Sequence, residues 1–251
     1  MKKALTIAGK DFRTYFYSPI AYIVCSFFLF IMGWMFFFNV KAFLLRSMGF
    51  NMGKATSIAE GILRPVYGNM NVILLFLIPF ITMRLFSEEK KLQTIQLLFT
   101  APLTVTDMVL GKFLSAVFFV LFMLAFTLAY PAFLIAYANP EIGTIVTSYL
   151  GTFLLSMCYV SIGVFFSALT ENQIVSGVLT LISGLFFWLI SWAAQSAGPV
   201  WSDVLEYLSL INHYNNFSQG LIDSSDVFYC LSFTGIFLFL SQRVLDSYRW
   251  R

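Results

Sequence analysis

The longest polar interruption that carries both signs of charge densely is residues 87–112, SEEKKLQTIQLLFTAPLTVTDMVLGK. It carries Glu88, Glu89, Lys90, Lys91, Asp107 and Lys112, with Arg84 just before it, and long apolar runs flank it on both sides. Both signs of charge on a short segment between apolar runs suit a surface presented to a partner in the aqueous phase. They equally suit a solvated linker lying on lipid headgroups. The rest of the chain offers little else. His213 is the single histidine, and one histidine without a fixed partner reads as structural rather than catalytic. Cys25, Cys158 and Cys230 sit inside apolar runs, with no disulfide framework and no metal-ligand spacing, and read as packing residues. No GxxxxGK(S/T) phosphate-binding loop occurs. The chain therefore does not hydrolyse ATP by that route, and any work it does is driven by another subunit. We expect no catalytic residue, no metal site and no cofactor of its own.

Periodicity and breakers define the elements that position these charges. Leu92, Ile95, Leu98 and Phe99 recur at three- and four-residue steps, an apolar stripe that predicts a helix over 87–101. Glu88 and Glu89 fall in its first turn, where the helix dipole favours anions, and Pro102 stops it. Thr104, three residues before Asp107, has capping-box spacing and starts the next helix.

Hydrophobic residues make up 59% of the 251, charged residues only 11%, and the mean hydropathy is +0.84. A soluble globular chain carries about 25% charge, so the membrane solvates most of this one. We expect an all-α polytopic membrane protein with a single domain over 1–251. The net charge of +3 is too small to argue for nucleic acid. Six apolar runs, near 20–40, 70–85, 108–137, 145–169, 174–194 and 227–244, approach or exceed the roughly 20 residues needed to cross hydrocarbon. The last is the weakest, since its apolar part ends at Leu240 and Arg243 has to snorkel. Ahead of them, residues 2–17 place Leu5, Ala8, Phe12, Tyr15 and Phe16 at helical spacing among Lys3, Lys10 and Arg13, a basic amphipathic helix for the interface plane. The first run is followed by Asn39, Val40 and Lys41 rather than a cleavage site, so it reads as a retained span.

With both termini in the cytoplasm, eleven of the fifteen Lys and Arg residues lie inside. The exceptions are Lys41, Arg46, Lys54 and Arg64, in an outer connection over 41–69 whose glycines and Pro65 read as irregular. The outer segment 195–226 is long and semi-apolar. There Trp201, Leu205, Leu208 and Ile211 predict a helix lying at, or dipping into, the outer interface. Span interiors lack Asp, Glu, Lys, Arg and His, the residues that mark ion-coupled pathways and intramembrane enzymes. What they carry is packing chemistry. Ser148, Thr152 and Ser156, then Gly163 and Ser167, and Ser176, Thr180 and Gly184 repeat every four residues, which lets helices approach and hydroxyls bond across them. Pro79 and Pro131 inside spans two and three predict kinks.

The stretch EEKKLQTIQLLFTAPLTVTDMVLGKF resembles the cytoplasmic coupling segment of type-2 ABC-transporter permeases. Thr94, Leu97, Leu98, Thr100, Pro102 and Lys112 fit that pattern, while Gln93 stands for its usual glycine and Gln96 for its usual acid. Within the family, KDFRTYFYSPIAYIV, IPFITMRLFSEEK, IGVFFSALTENQIVSG and HYNNFSQGLIDSSDVFYCLS are similar to segments of the gliding-motility-associated group. The resemblance implies six spans, an interfacial helix before the first, a short outer hairpin between spans five and six, and a permease homodimer or heterodimer seated on ABC ATPase subunits that hold ATP and Mg. It also implies a bacterial inner-membrane location. On this footing the ATPase contact comprises Glu88, Glu89, Lys90, Lys91, Leu92, Thr94, Ile95, Thr100 and Pro102. A second small contact at Glu171 and Asn172, between spans four and five, has a simple polar turn as its rival. The expected function is that of an ATP-driven exporter's membrane subunit. The alternative is a non-transporting machine that passes ATP-driven motion to an auxiliary periplasmic protein, for which the long outer segments leave room.

Overall fold

The computed structural model describes residues 2–48, 57–100, 103–138, 140–196 and 198–249. Among these, all regular structure is helical: α1 (Lys2–Tyr17), α2 (Pro19–Met48), a π-helical turn (Ala59–Leu63), α3 (Arg64–Thr82), α4 (Ser87–Lys91), α5 (Ile95–Thr100), α6 (Val105–Thr127), α7 (Ala129–Ala138), α8 (Ile142–Leu169), α9 (Gln173–Ser196), α10 (Pro199–Leu208), α11 (Leu210–Ser218) and α12 (Ser224–Arg249). Apolar runs of this length fold as helices because hydrocarbon offers no water to an unpaired backbone group. Six stretches are long and apolar enough to cross a membrane: Pro19–Arg46, Ala59–Lys91, Val105–Ala138, Ile142–Leu169, Gln173–Ala194 and Ser224–Tyr248. They coincide with the six runs read from the sequence, the weak last one included.

The spans are not equivalent. In α8, 72% of the apolar window is buried, against 22% in α2, which makes α8 the central post of the bundle. It packs on α3, α6, α9, α11 and α12. Its small residues explain how. A Cβ added to Gly163 would lie 2.1 Å from Thr82 Oγ1 of α3, and one added to Gly151 would lie 2.5 Å from Phe217 Cβ of α11. Close approach is therefore the role of the stripe. Of its hydroxyls, Ser167 bonds across to the start of α4, but Ser156 and Thr180 do not. Ser156 Oγ donates to Thr152 O at 2.7 Å and Thr180 Oγ1 to Ser176 O at 2.7 Å, each back to its own helix. The carbonyl four residues earlier is always within reach, whereas a partner helix must be placed correctly to compete.

Three further expectations are corrected. The 41–69 connection is largely helical: α2 runs on to Met48 because 41–48 holds no breaker, and helix resumes before residue 59. Ser57 Oγ accepts from the Glu60 N–H at 3.2 Å at that restart, and Pro65 fits the first turn of α3. Gly61 faces Phe43 of α2, whose ring carbon would lie 2.4 Å from an added Cβ. The residues between, 49–56, lie outside those described. Span three breaks at Leu128, between α6 and α7, three residues ahead of Pro131, which has no N–H to offer Thr127 O; α3, by contrast, runs through Pro79 to Thr82.

The outer segment holds two helices rather than one. Ser209 is extended (φ −78, ψ 117) and separates α10, on α9, from α11, which packs into α8. Trp201 and Leu208 are exposed, and the buried face belongs instead to Leu210, His213, Tyr214 and Phe217. His213 does have fixed partners. Its Nδ1 lies 2.6 Å from Asp226 Oδ1, its Nε2 2.9 Å from Tyr207 O, and its ring stacks on Tyr229 at 3.9 Å. Asn216 Nδ2 donates to the other Asp226 oxygen at 2.8 Å, so the histidine pins α10 and α11 to α12.

Gly163→Ala is expected to lower thermal stability by about 1–3 kcal/mol, the cost of overpacking a rigid contact. Gly143→Ala, in the same helix with nothing within 4 Å of the added Cβ, is the matched control and leaves the melting temperature in detergent essentially unchanged.

Candidate functional site

The charged stretch joins α3 to α6 at the end of the bundle where α1 begins and α12 finishes. It is not the single helix over 87–101 that the apolar stripe predicts. After Lys91 the N–H of Gln93 bonds Lys90 O at 3.1 Å and that of Thr94 bonds Glu89 O at 2.9 Å, the paired bonds of a Schellman turn. Gln93 takes the left-handed position, φ 58, and its side-chain amide donates to Lys90 O at 3.3 Å. The chain then restarts as α5 at Ile95. The break splits the stripe: Leu92 is 62% exposed and Ile95 fully buried. The side chains of Leu98 and Phe99, and the whole of Pro102, lie outside the described residues.

The inner face of α4 is bolted to four other helices. Ser167 Oγ of α8 accepts from the backbone N–H of Phe86 at 2.9 Å and of Ser87 at 3.2 Å, capping the first turn of α4 from outside. Lys90 Nζ donates to Ala168 O at the end of α8 and stands 4.4 Å from the Tyr248 ring centroid of α12. Glu89 Oε1 receives Lys112 Nζ of α6 at 2.7 Å, and the same ammonium lies 3.5 Å from Asp11 Oδ2 of α1 and 5.1 Å from the Phe86 ring. Beside this knot Tyr15 is half-buried, and desolvation, then the Asp11 charge, push its phenol pKa up, so it stays neutral. The Thr104–Asp107 capping box starts α6, with the Asp107 N–H donating to Thr104 Oγ1 at 3.1 Å.

The sequence-predicted contact residues therefore divide. Glu89, Lys90 and Ile95 turn inward and hold the segment; Lys91, Leu92, Thr94 and Thr100 face outward, with Glu88 half-buried. Glu171 and Asn172 are exposed beside them. Asn172 Oδ1 accepts from the Ile174 N–H at 2.9 Å and caps α9, and Tyr248 OH lies 3.5 Å from Glu171 Oε1. Three residues of this junction escape a reading of the sequence alone: Asp11, Ser167 and Tyr248. The signal for Asp11 was available, since a lysine opening an apolar span needs a counter-charge and Asp11 is the only acid in residues 2–17. Ser167 reads as one more small residue. Among the described residues no three His, Cys, Asp or Glu side chains gather to hold a metal. The arrangement is mechanical: a short segment with an exposed outer face, tied on its inner face to α1, α6, α8 and α12.

A family model described as ABC-2 family transporter protein matches residues 5–244 of the chain. No curated protein matches it.

Gln93→Gly is expected to stabilise the protein by about 1 kcal/mol, because a left-handed backbone is strained for a residue with a Cβ and free for glycine. Lys112→Met is expected to destabilise it strongly, by about 3–5 kcal/mol, since it strands two partly buried carboxylates. Adding Asp11→Asn and Glu89→Gln to Lys112→Met recovers most of that loss in the melting temperature.

Proposed function

We propose, for a chain that belongs to the ABC-2 family of transporter proteins and is the permease subunit of an ABC transporter, that α4 and α5 are its contact with the ATPase. The family works with an ABC ATPase and dimerises; the ATP and Mg sit in that partner, and this chain's part is to receive motion. The observation that carries the reading is the split of the segment into an anchored inner face and an open outer one. Leu92, at 62% exposure, heads the outer face. A large apolar side chain held outward on a rigid turn, among Lys91, Thr94 and Thr100, is what a groove in a partner protein receives. Glu171 and Asn172 supply a second, smaller contact from the turn after α8.

Closure of the ATPase dimer then pushes α4, and the ties through Glu89, Lys90 and Ser167 deliver the push to α6, α12 and α8 together. The chain acts as one domain over 1–251 in a bacterial inner membrane, with both termini in the cytoplasm beside the ATPase and α1 lying along that interface. The sorting of Lys and Arg supports this orientation. The cargo leaves toward the α10–α11 side, which makes the complex an exporter; membership of a transporter family weighs against the non-transporting machine. The four ordered segments quoted above support the finer likeness to gliding-motility-associated permeases.

Leu92→Asp is expected to cut stimulation of the partner ATPase at least about fivefold, the scale of one well-packed interface contact, while insertion and elution volume stay unchanged. Ile95→Asp places a charge in the core instead and lowers the yield of folded protein. Full stimulation by the Leu92→Asp permease overturns the assignment.

A further inference from the structure

The α10–α11 end of the bundle carries acids and a single nitrogen base. Residues 195–226 hold Asp203, Glu206, Asp223 and Asp226, no Lys or Arg, and His213. The His213 ring is buried, and both of its nitrogens face acceptors. Tyr207 O, 2.9 Å from Nε2, is a backbone carbonyl and can only accept. Asp226 Oδ1 lies 2.6 Å from Nδ1, while the other oxygen of this buried carboxylate accepts from Asn216 Nδ2. A neutral imidazole has one N–H, so it satisfies one of the two acceptors and turns a lone pair on the other. The imidazolium satisfies both.

The surroundings favour the same charge. Tyr207 O belongs to the last turn of α10, where the helix dipole attracts a cation. The carbonyls beside it are capped as well, Glu206 O by Asn212 Nδ2 at 3.3 Å and Leu208 O by Tyr229 OH at 2.8 Å. The Tyr229 ring lies on the imidazole face at 3.9 Å, a stack that is stronger for a cation. Of the other elements packed on α11, α8 and α9 carry no Asp, Glu, Lys or Arg, and α3 carries only Arg64, exposed at its start. Asp203 and Glu206 of α10 are exposed, as is Asp223 ahead of α12, and the remaining charges of α12 lie at its far end. The other ionisable rings on His213 are Tyr207 and Tyr229.

We propose that His213 is held as the imidazolium and that its proton closes a pH-sensitive latch joining α10 and α11 to α12. Removing the proton gives up one of two bonds: either the end of α10 loses its cap, or a buried carboxylate faces a lone pair. A ring released from the latch into water gives up its proton above about pH 6.5. The closed form holds that proton more firmly than the released one, so the latch is tight in acid and loosens as pH rises. The device rests on the fold alone and is independent of the ATPase contact and of what is exported.

Because His213 is the only histidine, every ring signal of the full chain labelled with nitrogen-15 histidine belongs to it. In detergent at about pH 7.5, above the ordinary histidine range, the spectrum is expected to show two protonated ring nitrogens of similar shift. One protonated and one bare nitrogen, the pattern of a neutral ring, overturns the proposal without any variant. The melting temperature supplies the second test. His213→Gln keeps a side-chain donor but does not titrate, so the loss it causes, measured against the unaltered protein at the same pH, isolates the ring from every other titrating group. That loss is expected to be at least about twice as large at about pH 6 as at about pH 9. An equal loss at both pH values shows a structural side chain with no pH-sensitive part and overturns the latch.

Discussion

An ammonium group inside a helical bundle needs counter-charge, because the low-dielectric interior penalises an isolated ion far more than a paired one. Lys112, 4% exposed near the start of α6, sets that condition here. The carboxylates that meet it come from two different elements, Asp11 of α1 and Glu89 of α4. The N-terminal helix and the loop between spans two and three are thereby committed to one place. The remaining contacts fill in around this ion knot. Ala4 and Ala8 of α1 are buried, and a Cβ on Gly111 would lie 2.8 Å from Ile7 Cβ, so the two helices nearly touch. Phe12, Tyr15 and Phe16 then stack edge or tilted on Phe119 and Phe122 of α6.

How much of this is legible in the sequence depends on the range of the interaction. The six spans are readable because hydrocarbon thickness imposes a length and a composition on each segment independently. The Thr104–Asp107 box is readable because a cap is a four-residue affair. The break at Gln93 is not readable from the stripe, since Leu92 and Ile95 keep helical spacing across it. The one pointer was the comparison in which glycine is usual at that position, and its physical content is the left-handed backbone found there. Likewise Trp201 and Leu208 share a stripe with Leu205 and Ile211, yet the extended Ser209 rotates α11 so that His213, Tyr214 and Phe217 face α8. Asp11, Ser167 and Tyr248 act across separations of tens of residues, where no local pattern records a partner.

The transporter's chemistry is divided accordingly. On the proposed reading the permease contributes geometry: an outer face on α4 and α5 for the partner, and an inner face tied to α1, α6, α8 and α12. The Schellman turn joins the two short helices through paired backbone bonds to Glu89 O and Lys90 O, next to the exposed Leu92.

The hydroxyls of the central post carry one more consequence. Ser156, Ser161 and Thr147 are bonded to their own backbone, so these side chains commit no directional bond to a neighbouring helix. Where they face another helix, slippage exchanges one set of dispersion contacts for another and ruptures nothing. Along these positions α8 is built as a low-friction bearing, while Ser167, Ala168 and Tyr149 tie it by directional bonds to α4 and α6.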